Sequence, residues 1–288
     1  MIMMSSDNQG GNARVKSLSQ VKTVTKYTFL NYFRARRFYV MLGIVALIGG
    51  LLTFAAVYTR SPFFGFKDPD PALAFYSVFW GSFATLVVLL SVAFFGGDAI
   101  SGEFQNKTGY FLIPNPLRRS VAYVGKWLAA LGASTLILAV FALIALANGT
   151  YFFGTSLPYQ FGESVVFAWI YLVSALGLTF MFSSLFKSSS ISILMTVILL
   201  LFAFNVIDVV AMVVAGIEPW FSITYAAGII GNVLVPGFAP GPSPAGTPRF
   251  AYTAWNASFP EGLAIMAVYF VVTAALGLWL FERKEFTS

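Results

Sequence analysis

The sequence predicts an all-α integral membrane protein with six transmembrane helices, and three observations support this fold class. Of the 288 residues, 58% are hydrophobic and only 10% are charged, whereas about a quarter of the residues in an average soluble domain are charged. So few charges could not cover the surface of a water-soluble globule. Six long runs contain no charged residue, and the Lys and Arg residues concentrate on alternate connections between those runs.

The six runs are each long enough to cross a membrane as a helix. A hydrocarbon core of roughly 30 Å needs about 20 apolar residues at a rise of 1.5 Å per residue. Helix is expected because unpaired backbone groups in lipid cost several kcal/mol each, and stretches such as 194–201 lack the alternation of a membrane barrel. We predict spans at 38–59, 75–96, 127–147, 164–186, 188–207 and 262–281.

The basic residues orient these spans. If the N-terminus is cytoplasmic, 14 of the 17 Lys and Arg residues lie on the cytoplasmic side, and only Arg60, Lys67 and Arg249 lie outside. Cytoplasmic loops carry such an excess of basic residues. We therefore predict that both termini are cytoplasmic and that residues 38–288 form the transmembrane domain. The first run starts too late and is too long for a cleaved signal peptide, so it is expected to remain as an anchor.

The chain before the first span divides into two parts. Residues 1–16 are mostly polar and are predicted to be a flexible N-terminus. Residues 17–37 combine apolar and basic side chains, so we predict a helix that lies on the cytoplasmic surface and is attracted to anionic lipid. Its apolar contacts are expected from Val21, Val24, Tyr27, Leu30 and Phe33, although a spacing of three drifts around a helix.

The long connection between the fifth and sixth spans is read as a re-entrant or interfacial outer hairpin. Asp208 interrupts the apolar run, Pro219 breaks it again, and 236–248 contains five Pro and three Gly, which excludes a helix there. The apolar pieces 209–217 and 220–235 are short for spans. The alternative makes 220–235 a seventh span, but it places the C-terminus outside, against the basic residues that follow the last span.

The composition excludes most catalytic sites. The chain has no Cys and no His, so thiol nucleophiles, Cys/His zinc sites and Ser-His-Asp triads are absent. Gly125 and Lys126 are followed by Trp127, which does not fit a phosphate-binding loop. We predict no catalytic residue, no cofactor and no metal on this chain, and we attribute the net charge of +6 to membrane orientation, with no nucleic acid as partner.

Asp208 is the acidic residue nearest to membrane depth. Intramembrane acids are candidates for ion or proton sites. Asp208 lies roughly 26 Å above the inner start of the fifth span at 1.5 Å per residue, which places it near the outer interface. Anchoring of the outer hairpin is the favoured role, and an ion-coupled carrier built on Asp208 is kept as an alternative function.

The inner loop between spans two and three contains a cluster of apolar residues. Phe104 and residues 110–113 lie between Gly102 and Pro114 on the predicted cytoplasmic side. Such a cluster on a short loop indicates a surface that docks a partner, or a segment that lies on the membrane plane.

Residues 98–126 resemble the corresponding loop of ABC-2 type transporter permeases, the membrane subunits of ATP-binding-cassette transporters. The order of a Glu, a Gly-Thr pair, Leu residues, Pro-x-x-Arg and then Gly-Lys at the start of span three is similar. The Gly-Thr pair departs from the pattern, because this sequence reads Lys107-Thr108-Gly109. The matching residues are Glu103, Leu112, Pro116, Arg119, Gly125 and Lys126.

The resemblance implies an exporter subunit of the plasma membrane that is not itself an enzyme. Residues 17–37 would be the connector helix, and 103–113 would be the coupling helix that docks on a separate cytoplasmic ABC ATPase, present in two copies, which holds ATP and Mg. A second permease subunit, identical or different, would complete the complex in the lipid bilayer. A membrane scaffold that transports nothing is the other alternative function. The residues implied for ATPase coupling are Glu103, Phe104, Thr108, Phe111, Leu112, Pro116 and Arg119, and those for an outer gate are Asp208, Glu218 and Trp220.

Overall fold

The computed structural model describes residues 7–59, 64–66, 68–105, 118–154, 157–247 and 250–284. Within these residues, six helices are long and apolar enough to cross a membrane. The prediction of an all-α membrane protein with six spanning helices is therefore confirmed. We number the spans one to six: Arg36–Tyr58, Pro71–Gln105, Arg119–Phe153, Tyr159–Leu185, Ser189–Ala215 and Phe259–Arg283.

Spans two and five are interrupted, whereas the other spans are continuous helices. Two wider, π-helical stretches lie in span five at Ile198–Ala203 and Val210–Ala215, and one lies in span two at Ser77–Gly81. The helices are α1 (Asp7–Arg34), α2 (Arg36–Thr59), α3 (Pro71–Tyr76), α4 (Ala84–Gly96), α5 (Ser101–Gln105), α6 (Arg119–Phe153), α7 (Tyr159–Leu185), α8 (Ser189–Val197), α9 (Phe204–Val209), α10 (Ile223–Ala227), α11 (Ile229–Asn232) and α12 (Phe259–Arg283).

Spans two, three and four form the interior of the molecule. The most apolar windows of spans two and four are 56% and 61% buried, against 22%, 17% and 17% for spans one, five and six. Trp80 of span two is fully buried, stacks on Phe141 of span three at 5.5 Å between ring centroids, and donates from Nε1 to Ser164 Oγ of span four at 2.9 Å. Aromatic packing and a satisfied indole N–H thus fix the three central helices to one another.

Helix α1 packs along the start of span three. Gly125 and Gly132 of α6 make room for it: a Cβ added at Gly125 would lie 2.7 Å from Val24 Cγ1, and one at Gly132 would lie 3.2 Å from the Phe29 ring. Val21 and Val24 are partly buried as expected. Tyr27, Leu30 and Phe33, which were also expected to make apolar contacts, are 66%, 37% and 44% exposed and lie outside the buried face of α1, although the Phe33 ring lies 4.7 Å from that of Phe38.

The reason is the helical period of 3.6 residues, which carries a spacing of three out of the buried face. Helix α1 also begins at Asp7, ten residues before the expected start at 17. Its first turns therefore fall in the stretch for which a flexible N-terminus was predicted. A helix that is already nucleated extends at low cost into polar sequence.

The connection between spans five and six contains two short helices and a β-hairpin. Helices α10 and α11 are largely buried. Strand β1 (Gly241–Thr247) pairs with β2 (Phe250–Asn256) in an antiparallel register that joins Gly241 to Asn256. The strands were not predicted, because Pro242 and Pro244 argue against regular structure. A two-stranded hairpin tolerates them since its strands are edges.

The start of span one and the end of span six lie at the same end of the molecule. Arg37, at the start of span one, forms an ion pair with Asp98 in the last part of span two. Lys284, after span six, contacts the end of span four through backbone carbonyls. We call this end of the molecule the basic end, and the opposite end, which holds α10 to β2, the hairpin end.

Candidate functional site

The segment implied for ATPase coupling begins at α5, and its first turn is fixed to span four. The backbone N–H groups of Ile100 and Ser101 both donate to Ser183 Oγ, at 2.9 and 3.0 Å. Ser183 is fully buried. The first N–H groups of a helix have no partner inside the helix, so this single hydroxyl satisfies them and anchors α5 to the end of α7.

Glu103 connects α5 to span three. Its carboxylate forms an ion pair with Lys126, and Lys126 Nζ also donates to the Ala99 carbonyl at 2.8 Å. The two side chains are 20% and 13% exposed. The second carboxylate oxygen of Glu103 is buried and makes no hydrogen bond with the described residues. Glu103 therefore holds spans two and three together at the basic end of the molecule.

Phe104 connects α5 to span six and to the residue that follows it. Its ring lies edge-on to Phe281, with centroids 6.5 Å apart, and Lys284 Nζ lies 4.2 Å from its centroid. Lys284 also donates to the carbonyls of Ser184 and Phe186 at 2.8 Å each, which satisfies the end of span four. Burial, and secondly the nearby Lys187, lower the pKa of Lys284 to about 8.

Two further contacts complete this arrangement. Gln105 Oε1 accepts from the Ser189 backbone N–H at 2.7 Å, at the start of span five. Arg119, at the start of span three, donates to the carbonyls of Glu282 and Lys284 at 2.8 Å each. Cationic donors at a helix C-terminus are favourable. Arg119 therefore caps span six from span three.

We name this set of contacts the basic-end network. Through it, the five residues of α5 reach spans three, four, five and six. Of the residues implied for coupling, the structure brings Glu103, Phe104 and Arg119 into this network, whereas Thr108, Phe111, Leu112 and Pro116 lie outside the described residues. Sequence reasoning missed Ser183, Gln105 and Lys284. A basic residue directly after span six could have indicated the cap made by Lys284.

A cavity of about 310 Å³ lies halfway through the molecule between spans two, four and five. Two of its walls are formed beside the π-helical stretches of spans two and five, and π-helical turns are frequent at functional sites. Helix α10 covers it at the hairpin end through Thr224 and Ala227. The polar side chains that line it are Ser82, Thr85, Tyr171, Asn205 and Thr224.

Two of the three residues implied for an outer gate are bound to α10. Asp208 is 9% exposed, and its Oδ2 accepts from the Thr224 hydroxyl at 2.6 Å. Its Oδ1 is buried without a hydrogen bond to the described residues. Glu218 accepts from the Tyr225 hydroxyl. Trp220 is 67% exposed, and its ring lies edge-on to that of Phe221.

Asp208 and Glu218 therefore bind the segment that contributes Thr224 and Ala227 to the wall of the cavity. Thr224 is the link between the two features, because the same side chain lines the cavity and donates to Asp208. No sequence pattern reveals this contact, because the two partners are 16 residues apart and the helix that contains Asp208 ends between them.

Comparison with known proteins identifies the family to which the chain belongs. The family described as "ABC-2 family transporter protein" matches residues 3–286, nearly the whole chain. A comparison with curated proteins gives no significant match. Members of the matched family are membrane components of transporters that work, in general, with an ABC ATPase subunit. This match, together with six helices that are long and apolar enough to cross a membrane, shows that the chain is a multi-pass plasma-membrane protein and belongs to the ABC-2 transporter family.

Proposed function

We propose that this chain is the permease subunit of an exporter that is driven by ATP hydrolysis on a separate subunit. Two copies of a cytoplasmic ATPase, which hold ATP and Mg, pair with two permease subunits, identical or different. This chain supplies no catalytic group. The basic end faces the cytoplasm, as its Lys and Arg residues favour.

The observation that carries the proposal is the basic-end network. Helix α5 is hydrogen-bonded or ion-paired to spans three, four and five and packs on span six. A displacement of the adjoining segment by an ATPase would therefore reach four spans at once. Networks with two discrete arrangements are what transmit free energy between distant sites, and nucleotide and substrate couple only through their different affinities for those arrangements.

The cavity and its cover provide the transport part of the proposal. The cavity is at mid-depth, is lined by polar and apolar side chains, and is covered at the hairpin end by α10. In an exporter, outward release requires that α10 moves away. The hydrogen bond between Asp208 and Thr224 is then the contact that opens, and Asp208 and Glu218 act as the outer gate.

The docking half of the proposal is tested by co-purification with the ATPase. Phe111→Asp is the informative variant, because Glu103→Arg would also break the internal ion pair with Lys126. We expect Phe111→Asp to weaken ATPase binding by about tenfold or more, which corresponds to 1.4 kcal/mol. Trp220→Asp is the matched control, an aromatic-to-acid change at the hairpin end that leaves binding unchanged. Equal recovery of the ATPase by all three proteins contradicts docking at 103–113.

A second experiment separates a transporter from a scaffold. The chain has no native Cys, so single cysteines can be labelled without background. We expect Thr85→Cys, in the cavity, to change its reaction rate with a membrane-impermeant thiol reagent when the ATPase is trapped with ATP and vanadate. Leu143→Cys, on the exposed face of span three, serves as the control whose rate stays constant. A Thr85→Cys rate that is indifferent to nucleotide supports the scaffold.

The ion-coupled alternative depends on Asp208. In the proposed exporter, this carboxylate anchors α10 and binds no transported ion. Asp208→Asn retains an acceptor for the Thr224 hydroxyl, so the nucleotide-dependent labelling of Thr85→Cys should persist. Loss of that response, together with an unchanged melting temperature, favours the carrier.

A further inference from the structure

We propose that the cavity between spans two, four and five binds a small, uncharged amphiphile, which is a largely apolar molecule that carries a hydroxyl or a similar hydrogen-bonding group. This inference rests on the proposed function, because it names the substrate class for the same cavity. The cavity volume of about 310 Å³ lies at the lower end of the roughly 300–1,000 Å³ that is typical of ligand pockets. The cavity therefore accommodates a small molecule.

The lining of the cavity disfavours a charged occupant. None of the described residues that line it is charged. Asp208 accepts from Thr224 of the lining at 2.6 Å, but it is not itself a lining residue. A charged ligand would therefore leave water without a counterion in the cavity wall, and that transfer costs far more than the transfer of a neutral polar group.

Three hydroxyl groups of the lining have hydrogen-bonding capacity for a ligand. A helical Thr often donates to the carbonyl of the preceding turn, as Thr179 does to Ala175 at 2.8 Å. The hydroxyls of Ser82, Thr85 and Tyr171, by contrast, make no hydrogen bond with the described residues. Tyr171 is only 1% exposed, and a buried hydroxyl without a partner is unfavourable. A ligand that accepts a hydrogen bond from Tyr171 removes this cost.

Asn205 adds a hydrogen-bond acceptor from span five. Its Nδ2 donates to the carbonyls of Leu200 and Leu201 at 3.2 and 3.0 Å, both of which lie in the π-helical stretch Ile198–Ala203. These two bonds use both hydrogens of the amide nitrogen, so Oδ1 is the atom that remains for a ligand. A hydroxyl group both donates and accepts, so it can bind to Asn205 or to Tyr171.

The rest of the lining is apolar. It consists of Ala227 of α10 and of four leucines, two from span two and two from span five. Burial of apolar ligand surface against these side chains is favourable, whereas a wholly polar ligand would lose most of its hydrogen bonds with water. The leucines and the hydrogen-bonding groups together therefore select an amphiphile. The leucines are Leu86, Leu89, Leu200 and Leu201.

The test compares three photoreactive probes on the full chain in vesicles without nucleotide. Each probe is a benzene ring with a trifluoromethyl diazirine, and the para substituent is hydroxymethyl, carboxylate or aminomethyl, which makes the probe neutral, anionic or cationic at neutral pH. Peptide mass spectrometry locates the labelled residues after irradiation. Labelling in the cavity is divided by labelling at Leu143, an exposed residue of span three, which corrects for the amount of probe in the bilayer.

We expect the neutral alcohol to label 82–89, 200–205 and Tyr171 several-fold more, relative to Leu143, than either charged probe does. An excess of para-(trifluoromethyl)benzyl alcohol, which is not photoreactive, should suppress this labelling but not the labelling of Leu143. Equal relative labelling by a charged probe overturns the assignment to an uncharged ligand. Labelling that the competitor does not suppress overturns the binding site.

Two pairs of matched variants test the roles of the lining residues. Tyr171→Phe removes one hydroxyl from the cavity and should lower the suppressible labelling by several-fold, whereas Tyr123→Phe, outside the cavity, should leave it unchanged. Ser82→Asp adds a carboxylate to the lining and should reverse the preference in favour of the cationic probe. Ser190→Asp, at an exposed serine of span five outside the cavity, should keep the preference for the alcohol.

Equal effects within either pair contradict the selection of ligands by the lining, and the probe comparison on the unsubstituted chain decides the question if Ser82→Asp does not fold. The outcome is separate from that of the transport experiment, because probe labelling needs no ATPase. Suppressible labelling by the alcohol alone, without a nucleotide response of Thr85→Cys, contradicts transport and supports the ligand class. A nucleotide response with equal labelling by all three probes contradicts the ligand class alone.

Discussion

At the scale of single residues, the contact between Glu103 and Lys126 shows how a short motif acquires a structural role. Both side chains are largely removed from water, and Lys126 also binds the Ala99 carbonyl. Removal of one charge leaves the other buried without a counterion, which destabilises the fold, whereas removal of both charges destabilises it less. The pair therefore sets the position of α5 relative to span three.

Lys126→Met is predicted to destabilise the protein by roughly 1–3 kcal/mol, because it leaves the Glu103 carboxylate without a donor. The measurement is the apparent melting temperature of the purified chain. Glu103→Gln combined with Lys126→Met should cost clearly less than the sum of the two single changes. Lys22→Met, at an exposed position of α1, is the control for loss of a positive charge. Strict additivity of the two substitutions would show that the ion pair contributes nothing.

Lys284 gives a prediction for the pH dependence of stability. Its pKa is lowered by burial to about 8 in the folded chain, from an ordinary value of 10.5. Between these values the unfolded chain binds more protons than the folded chain, so this group's contribution to stability rises with pH. The unfavourable effect of burying the charge is complete below pH 8 and disappears as the pH approaches 10.5.

We therefore expect the melting temperature of the unsubstituted chain, measured relative to that of Lys284→Met, to increase as the pH is raised above about 8. The comparison cancels all groups that titrate in both proteins. Arg283→Met, which changes the adjacent exposed residue, should show no such pH-dependent difference. A constant difference between the chain and Lys284→Met across this range would contradict the lowered pKa.

At the scale of elements, the packing of α1 on α6 depends on the absence of a side chain at Gly125. A Cβ there would approach Val24 to 2.7 Å and the Val21 carbonyl to 3.3 Å. Real side chains essentially never approach so closely, and the backbone carbonyl cannot move away as a flexible side chain could. In the sequence, Gly125 stands out only as part of a Gly-Lys pair. Its packing role could not be predicted, because it depends on the position of α1.

Gly125→Leu is predicted to release α1 from span three while the six spans remain folded. Limited trypsin digestion at Lys22 and Lys26, which are exposed on α1, should become several-fold faster as local opening becomes easier. Gly43→Leu is the matched control, because a Cβ at Gly43 meets no atom within 4 Å. Unchanged digestion of Gly125→Leu would mean that α1 is held by other contacts.

The same comparison explains what could be predicted about the elements. The spans were predictable because each must satisfy its own backbone hydrogen bonds and expose apolar side chains, and both requirements are local. The ends of the helices and the interruptions in spans two and five were not predictable, because the length and polarity of an apolar run do not distinguish the π-helical stretches at 77–81 and 198–203 from α-helix. The β-hairpin escaped prediction because its prolines are acceptable only where a strand has an open edge.

At the scale of the whole molecule, the spans differ in how much of their surface is covered within one chain. Spans two and four are mostly buried, whereas spans one, five and six expose most of their apolar surface. Large apolar surfaces must be covered by lipid or by another protein. The fold therefore separates a structural interior from an apolar periphery, which lipid covers and at which the proposed second permease subunit would bind.

A lipid-soluble carbene reagent is expected to label spans one, five and six several-fold more than span four in the isolated chain. In the assembled transporter, the span at the contact with the second permease should lose most of its labelling, since protein then replaces lipid. Peptide mass spectrometry on both preparations gives the comparison. Strong labelling of span four in the isolated chain would contradict the arrangement of the helices, and identical patterns in the two preparations would contradict a permease contact through these spans.

The sequence by itself determined the class of molecule, the number of spans and the loop between spans two and three as the informative segment. These features depend on composition, run length and charge placement, which are properties of the sequence and need no knowledge of contacts between distant residues. It also placed Asp208 and Glu218 among the candidate residues. The sequence could not assign their contacts, because a hydrogen bond joins groups that are distant along the chain.

Only the tertiary structure decided that Glu103 binds Lys126, that Lys284 caps span four, and that Thr224 joins Asp208 to the cavity. Each of these contacts joins groups that are distant along the chain through an ion pair, a hydrogen bond or a cavity wall. Such contacts depend on the rotation and offset of one helix against another to within a few ångströms. Hydrophobic periodicity predicts which face of a helix is buried. The neighbouring helix that packs against this face is determined by the packing of the whole molecule.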